Sequence, residues 1–253
     1  MGVTGVVLAA GRGVRMGGVD HKSLIPVEKN EPLMHYILSG LTSAGVKNLM
    51  IVTGHNASEV QGFVDERWGG DAASYVFNAR YASWGNFHSL RVAIDQAPND
   101  DLLVVNCDVI VHPEVFRRVL DTEGDLVLAI ERRLRLDEED MRVHLEGNLI
   151  RGIGKHLPRA RSHGEFCGVS LLRRTAGRLY QDAATEIEWR SETSIYYEDV
   201  FARVLDQLDA RAAFVNEGEY AEVDEPANVA AANAVIERYS HEWRSEPATE
   251  STP

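Results

Sequence analysis

Thr4 to Val27, TGVVLAAGRGVRMGGVDHKSLIPV, is the stretch on which the reading of this chain turns. An apolar, β-branched run from Val3 to Leu8 enters a loop holding Gly11, Gly13, Arg12 and Arg15, with Lys22 after a gap. The strand fixes where the loop begins. Glycine lets the backbone turn with positive φ and approach a phosphate closely. Successive exposed N–H groups form an anion-binding nest, and the three cations can neutralise a polyanion. This order suits a nucleoside triphosphate.

Two familiar phosphate loops do not fit. A dinucleotide fingerprint needs G-x-G-x-x-G with a helix starting at once. Here Gly17 comes too late, and Gly18 to Lys22 has no helical apolar period. A Walker loop needs lysine directly after glycine, and Lys22 follows His21. An ordinary strand and turn with surface arginines is the plain alternative. The pattern L-A-A-G-x-G-x-R-M-G, with K-x-L shortly after, resembles the nucleotidylyltransferase signature of the sugar-nucleotide pyrophosphorylase superfamily.

Outward from this loop, strands and helices alternate. A helix is expected near 32–44, with Leu33, Ile37, Leu38 and Leu41 on one face and Gly45 as its stop. Short strands follow at Leu49–Thr53, Tyr75–Asn78 and Leu102–Asn106. Between them fall helices around Val60, Phe63 and Val64 (with Asn56 as a possible cap) and around Leu90, Ala93 and Ile94. Such alternation implies right-handed crossovers and an α/β, doubly wound, mainly parallel sheet. After residue 124 the pattern changes. Asp125–Glu131 and 165–173 are expected strands. Met141–Leu145 and Leu149–Gly154 flank Glu146-Gly147-Asn148 as a small β-hairpin. Tyr197–Leu208 is an expected helix, residues 212–216 and 220–223 are short strands, and a last helix runs from Pro226 to about Tyr239. The expectation is one domain over 1–240 and a disordered tail over 241–253.

The composition, 44% hydrophobic and 26% charged over 253 residues, is that of a globular chain with a real core. A net charge of −13 argues against a general nucleic-acid binder, while leaving room for the basic island of residues 12–22. The only cysteines, Cys107 and Cys167, make neither a zinc site nor a disulfide framework. No leader peptide or membrane-length apolar run is visible, so a cytoplasmic location without membrane insertion is expected.

Two carboxylates stand at strand ends, where open α/β sheets bind ligands. Asp108 follows Leu102-Leu-Val-Val-Asn-Cys, and Asp224 closes Tyr220-Ala-Glu-Val-Asp. Each alone could be a helix cap. As a pair they suit Mg²⁺, which keeps waters and bridges to substrate phosphate. The matching reaction is attack by a phosphate or phosphonate oxygen on the α-phosphorus of a triphosphate, releasing pyrophosphate. Two anions must meet, and one unit-charge contact at 4 Å is worth about 4 kcal/mol at an effective dielectric near 20. Lys22 is the candidate for the α-phosphate and Arg15 for the β and γ groups.

The segment Asn78-Ala-Arg-Tyr81-Ala-Ser-Trp84-Gly-Asn86-Phe-His-Ser89-Leu90 resembles the N-x-x-Y…N-x-Y-S-L segment of the small-head-group cytidylyltransferases, which act on phosphocholine, inositol 1-phosphate or 2-aminoethylphosphonate. Leu136–Val143, Gly152–Lys155, Gly164-Glu165…Gly168-Val169, Tyr196–Asp199 and Glu222-Val-Asp224 follow that family's order, so the resemblance spans roughly residues 3–237. It implies CTP and Mg²⁺ on a Rossmann-like nucleotidyltransferase fold, with a homodimer plausible. By position it implies nucleotide contacts from Leu8, Ala9, Ala10, Gly11, Arg12, Gly13, Asn86 and Ser89. Lys22, Arg15 and Asp108 would be catalytic, and Asp108 and Asp224 would hold metal. Arg142, Lys155, Glu165, Glu198 and Tyr197 would meet the acceptor.

Three positions depart from the family pattern. His21 replaces a usual proline, which is expected to loosen the loop. Gly85-Asn86 replaces paired asparagines, and Arg142 replaces a lysine. Tyr81, Trp84, Trp189, Tyr196 and Tyr197 form either an ammonium cage or ordinary packing. His88, His144, His156 and His163 lack metal spacing. The sequence thus points to a Mg²⁺-dependent cytidylyltransferase with a small phosphate or phosphonate acceptor. The alternatives are a sugar-1-phosphate nucleotidylyltransferase using another triphosphate and a non-catalytic nucleotide-sensing subunit.

Overall fold

The computed structural model describes residues 2–11 and 21–243. The first half builds β1 (Val3–Ala9), α1 (Leu33–Ser43), β2 (Asn48–Thr53), α2 (Ala57–Trp68), β3 (Ser74–Phe77), α3 (Phe87–Gln96) and β4 (Asp101–Asn106). β2 and β4 flank β1, β3 pairs outside β2, and all these pairings are parallel. The rest adds β5 (Val109–Val111), α4 (Pro113–Asp121), β6 (Leu126–Glu131), β7 (Arg142–Glu146), β8 (Leu149–Ile153), β9 (Gly164–Leu172), α5 (Arg174–Trp189), α6 (Tyr197–Val204), β10 (Ala210–Val215), β11 (Tyr220–Glu222) and α7 (Val229–Arg238). The nine-stranded sheet runs β3-β2-β1-β4-β9-β6-β10-β8-β7. β9 is antiparallel to β4 and β6, and β8 is antiparallel to β10 and β7. Only these two strands oppose the others, so the doubly wound, mainly parallel mixed sheet expected from the sequence is present.

Period-two alternation explains the layering. Val6, Leu8, Leu102 and Val104 face one core, with α3, α5 and α6 packed on it. Val7, Ala9, Leu103 and Val105 face the other, under α1, α2 and α4. Strands covered on both faces read as continuous apolar runs, as Val6–Ala9 and Leu102–Val105 do. The expected hairpin is β7–β8, turning at Gly147 with φ +66°.

A third cluster joins Ile25, Val27, Leu33 and Tyr36 to Val223, Ala232, Val235 and Ile236. Trp243 is buried in it, its ring 5.8 Å from that of Tyr36 in an edge contact. The expected tail boundary at 241 is therefore corrected: residues up to Trp243 belong to the packed body. Residues 244–253 lie outside the described residues.

Candidate active site

Asp108 sits in the turn between β4 and β5, at the carboxyl end of the central parallel strands. β5 pairs antiparallel with β11, setting Val109 opposite Glu222. The Val223 N–H then donates to the Asp108 carbonyl at 2.8 Å. This short ladder brings two distant chain segments together. Strand alternation puts Glu222 and Asp224 on one side. The carboxylates of Asp108, Glu222 and Asp224 each offer an oxygen within 4.8 Å of the others.

Neither aspartate is a helix cap. His112 caps α4, its Nδ1 accepting from the Glu114 N–H, and Glu225 occupies the cap before residues 226–228. Lys22 instead engages both: its Nζ donates to Asp108 Oδ2 at 3.0 Å and to Asp224. Burial works against the ammonium, but Asp108 and Asp224 outweigh it and hold the Lys22 pKa above the ordinary lysine value. Lys22 is thus a fixed cation. Glu222 is pushed up to about 7 by burial and by the like charges of Asp108 and Asp224.

The loop is pinned where it enters and leaves. Leu8 and Ala9 pack their side chains into the two cores, so they offer a ligand only backbone. The Ala10 carbonyl accepts from the His55 N–H, and Gly11 is exposed. Arg12, Gly13 and Arg15 lie outside the described residues. His21 itself is held in place where the described residues resume. Its ring is buried, Nε2 lies 2.8 Å from the Ala9 carbonyl and Nδ1 accepts from the Ser23 N–H. A carbonyl only accepts, so Nε2 must carry the proton and the ring is neutral. Burial lowers the His21 pKa in keeping with this.

Beside the carboxylate cluster is a cavity of about 300 Å³. Lys22, Asn86, Lys155, Glu165, Glu198 and Asp224 line it, as does Asp108. Burial raises Glu165 to about 7 despite Arg133, whose Nη1 lies 2.5 Å from Glu165 Oε2. Glu198 is buried and raised to about 8, against its own backbone N–H and the Tyr197 hydroxyl, which favour the anion. Lys155 donates to Glu139 at 3.0 Å and stands 5.5 Å from the Tyr196 ring centroid.

Three expected contacts are corrected because their polar groups are engaged inside the protein. Arg142 is buried and donates to the carbonyls of Leu157, Asp137 and Glu138. It orders the acidic loop before β7 rather than lining the cavity. Tyr197 is a core residue whose hydroxyl donates to Asn106 Oδ1 at 2.9 Å, and it is its neighbour Tyr196 that lines the cavity, as Tyr220 does. Ser89 is buried and accepts from Asn78 Nδ2.

Asn86 lines the cavity, but its Oδ1 also accepts from the Tyr197 N–H at 2.9 Å, tying α6 to α3. The preceding glycine has a steric reason: a Cβ at Gly85 would lie 1.9 Å from the Ile195 carbonyl oxygen. No side chain fits there, paired asparagine included. Glu222 was missed by sequence reasoning, although two-residue spacing from Asp224 on a strand was the available signal. Arg133 carried none, since its partner comes from another strand.

Most of the first strand, Lys22 and Asp108 fall within the span of a family model, and Glu222 and Asp224 lie outside it. Residues 5–138, more than half of the chain, match the MobA-like NTP transferase domain. The chain belongs to this family. A Rubrobacter xylanophilus protein named bifunctional IPC transferase and DIPP synthase is 33% identical over 186 residues, covering 72% of this chain and 41% of its own length. The CMP-5'-(3-aminopropyl)phosphonate synthase of Streptomyces rubellomurinus is 27% identical over 229 residues, covering 88% and 33%. The chain therefore spans well under half the length of these curated relatives. The inositol-1-phosphate CTP transferase of T. maritima superposes with a TM-score of 0.77 over 92% of this chain and 96% of that one, at 19% identity, which shows a shared fold. Among the described residues no helix is long and apolar enough to cross a membrane.

Proposed function

We propose that this protein transfers CMP from CTP to a small phosphate or phosphonate acceptor and releases pyrophosphate. The observation that carries this reading is the Lys22 ammonium held between Asp108 and Asp224 at the mouth of a small cavity. The relatives' names support the nucleotide and the acceptor class: one makes a CMP-linked aminopropylphosphonate, and one is an IPC transferase. The cavity, about 300 Å³, is sized for a head group rather than for a large glycan.

An acceptor oxygen attacks the α-phosphorus, a new P–O bond forms, and the bond to the β-phosphate oxygen breaks. The acceptor is already an anion, so no general base has to remove a proton. Lys22, kept protonated by its carboxylates, offsets the charge that builds on the α-phosphate oxygens. Hydrogen-bond donors held in advance cost no reorganisation when the reaction occurs. Arg15 would hold the departing phosphates.

Asp108, Glu222 and Asp224 are hard oxygen donors close enough to share one ion, and they fit Mg²⁺. When bound there, the ion would supply Lewis-acid neutralisation of phosphate charge. The test is Mg²⁺-dependent pyrophosphate release with CTP, UTP, GTP and ATP crossed against small phosphates, phosphonates and glucose 1-phosphate. Release with CTP and a small acceptor is expected. Release only with a sugar phosphate and another triphosphate would overturn the reading.

A further inference from the structure

Lys22 is held at both ends. Asp108 and Asp224 fix its ammonium, and the residue before it fixes its backbone. His21 is 1% exposed. It caps the short turn Lys22–Leu24: Nδ1 accepts from the Ser23 N–H at 3.3 Å and lies 2.8 Å from the Ser23 hydroxyl. Nε2 donates to the carbonyl of Ala9, twelve residues back at the end of β1, at 2.8 Å. One ring therefore joins the last residue of β1 to the turn that carries Lys22. β1 lies beside β4, with Leu8 opposite Asn106, so the ring seats Lys22 next to the strand that leads into Asp108. Gly11, Arg12, Gly13 and Arg15 fall between the two anchors in the sequence.

These bonds allow one protonation state. The Ala9 carbonyl requires a proton on Nε2, and the Ser23 N–H requires a bare Nδ1. A second proton, on Nδ1, would set N–H against N–H and remove the cap. Burial disfavours the cation and the Ala9 carbonyl favours it. The charged groups facing the ring act in opposite senses, His55 against the cation and Glu59 on α2 for it. We propose, resting on the nucleotide reading above, that His21 is a positioning residue for the triphosphate. Its neutral ring seats Lys22 for the α-phosphate, and a protonated ring gives up that seat, so CTP binds tightly only where His21 is neutral. The carboxylates set where the lysine ends, and the ring sets where its stem begins. A misplacement of about 1 Å can cost about 10²-fold in a positioned reaction. A proline at this position would supply neither bond.

The experiment is calorimetric binding of CTP with Mg²⁺ to the full chain between pH 8 and pH 4.5, for wild type, His21→Gln and His21→Phe. Glutamine offers an amide N–H to the Ala9 carbonyl and does not titrate. Phenylalanine fills the space and makes neither bond. At pH 8, H21F should bind CTP about tenfold more weakly than wild type, as for a lost cap and a lost buried hydrogen bond, and H21Q should recover part of that loss. Toward acid, wild-type affinity relative to H21Q should fall at least about fivefold, with a midpoint below the ordinary histidine value. Proton uptake by CTP and by the cavity carboxylates is common to both proteins and cancels in the ratio. The KM for CTP should follow these shifts, and the acceptor KM should stay within about twofold.

The same pH dependence in wild type and H21Q, or H21F binding CTP within about twofold of wild type at pH 8, would overturn the proposal. If circular dichroism shows that H21F does not fold, the wild-type to H21Q ratio decides alone. A wild type that binds another triphosphate and not CTP would overturn cytidylyl transfer, and the same comparison made with that triphosphate then decides the role of His21.

Discussion

The two sides of the cavity are built from the same residue type and differ in where the balancing charge comes from. At the ends of β4 and β11, Asp108 and Asp224 hold a cation of the chain's own, Lys22. At the start of α6, Glu198 is buried, and among the described residues no cationic side chain pairs with it. A carboxylate paired from within is part of the standing machinery, fixed before any ligand arrives. One buried without a cation is held toward its neutral, protonated form. The first arrangement suits the proposed transfer reaction, and the second leaves a buried acid whose charged form the fold disfavours.

The strongest way to break this comparison is to remove the internal cation. Lys22→Ala should lower turnover by about 10³-fold, as for loss of one preorganised charge-stabilising donor. It should also leave Asp108 and Asp224 repelling each other across a site that has lost its charge balance. Steady-state pyrophosphate release with a circular dichroism check of folding measures this. A rate within about threefold of wild type would remove Lys22 from the chemistry.

A smaller effect sharpens the acceptor side. Glu198 keeps its proton to about pH 8 when folded and releases it near 4.5 when unfolded. Between those values the folded state binds more protons, so unfolding free energy must fall as pH rises. The wild type should lose of order a few kcal/mol between pH 5 and 8.5. Glu198→Gln should lose less, retaining a slope from Glu165 and Glu222, both raised to about 7. Urea denaturation at the two pH values decides it. Parallel losses in the two proteins would mean that Glu198 is not a buried acid kept protonated by the fold.

The smallest expected change concerns Arg142, which holds three backbone carbonyls. Arg142→Lys should cost about 1–2 kcal/mol of stability through lost hydrogen bonds and change the acceptor KM by less than about threefold. A tenfold rise in KM at unchanged stability would return Arg142 to the acceptor.

The same division appears in what the sequence disclosed. β1, β2 and β4 were legible because strands buried on both faces are unbroken apolar runs, and the β7–β8 hairpin because Gly147 punctuates it. Lys22, Asp108 and Asp224 were legible as residue types at strand ends, and the β5–β11 ladder that joins them follows from no local pattern. α5 was missed because its buried face, Ala176, Gly177, Tyr180, Ala184 and Ile187, is mostly small residues with little apolar contrast. Tyr196 and Tyr197 were not distinguishable, since adjacent aromatics at a helix start give no sign of which one turns inward. The engagement of Arg142 and the isolation of Glu198 depend on carbonyls and cations brought from other segments, which no spacing rule records.

The most direct measurement is ³¹P NMR of the full chain incubated with CTP, Mg²⁺ and 2-aminoethylphosphonate. Pyrophosphate should appear together with a pair of mutually coupled resonances from a CMP–phosphonate anhydride, growing as the CTP and free phosphonate signals fall. An unchanged spectrum, or CTP breaking down to CDP and orthophosphate with the phosphonate untouched, would contradict the account.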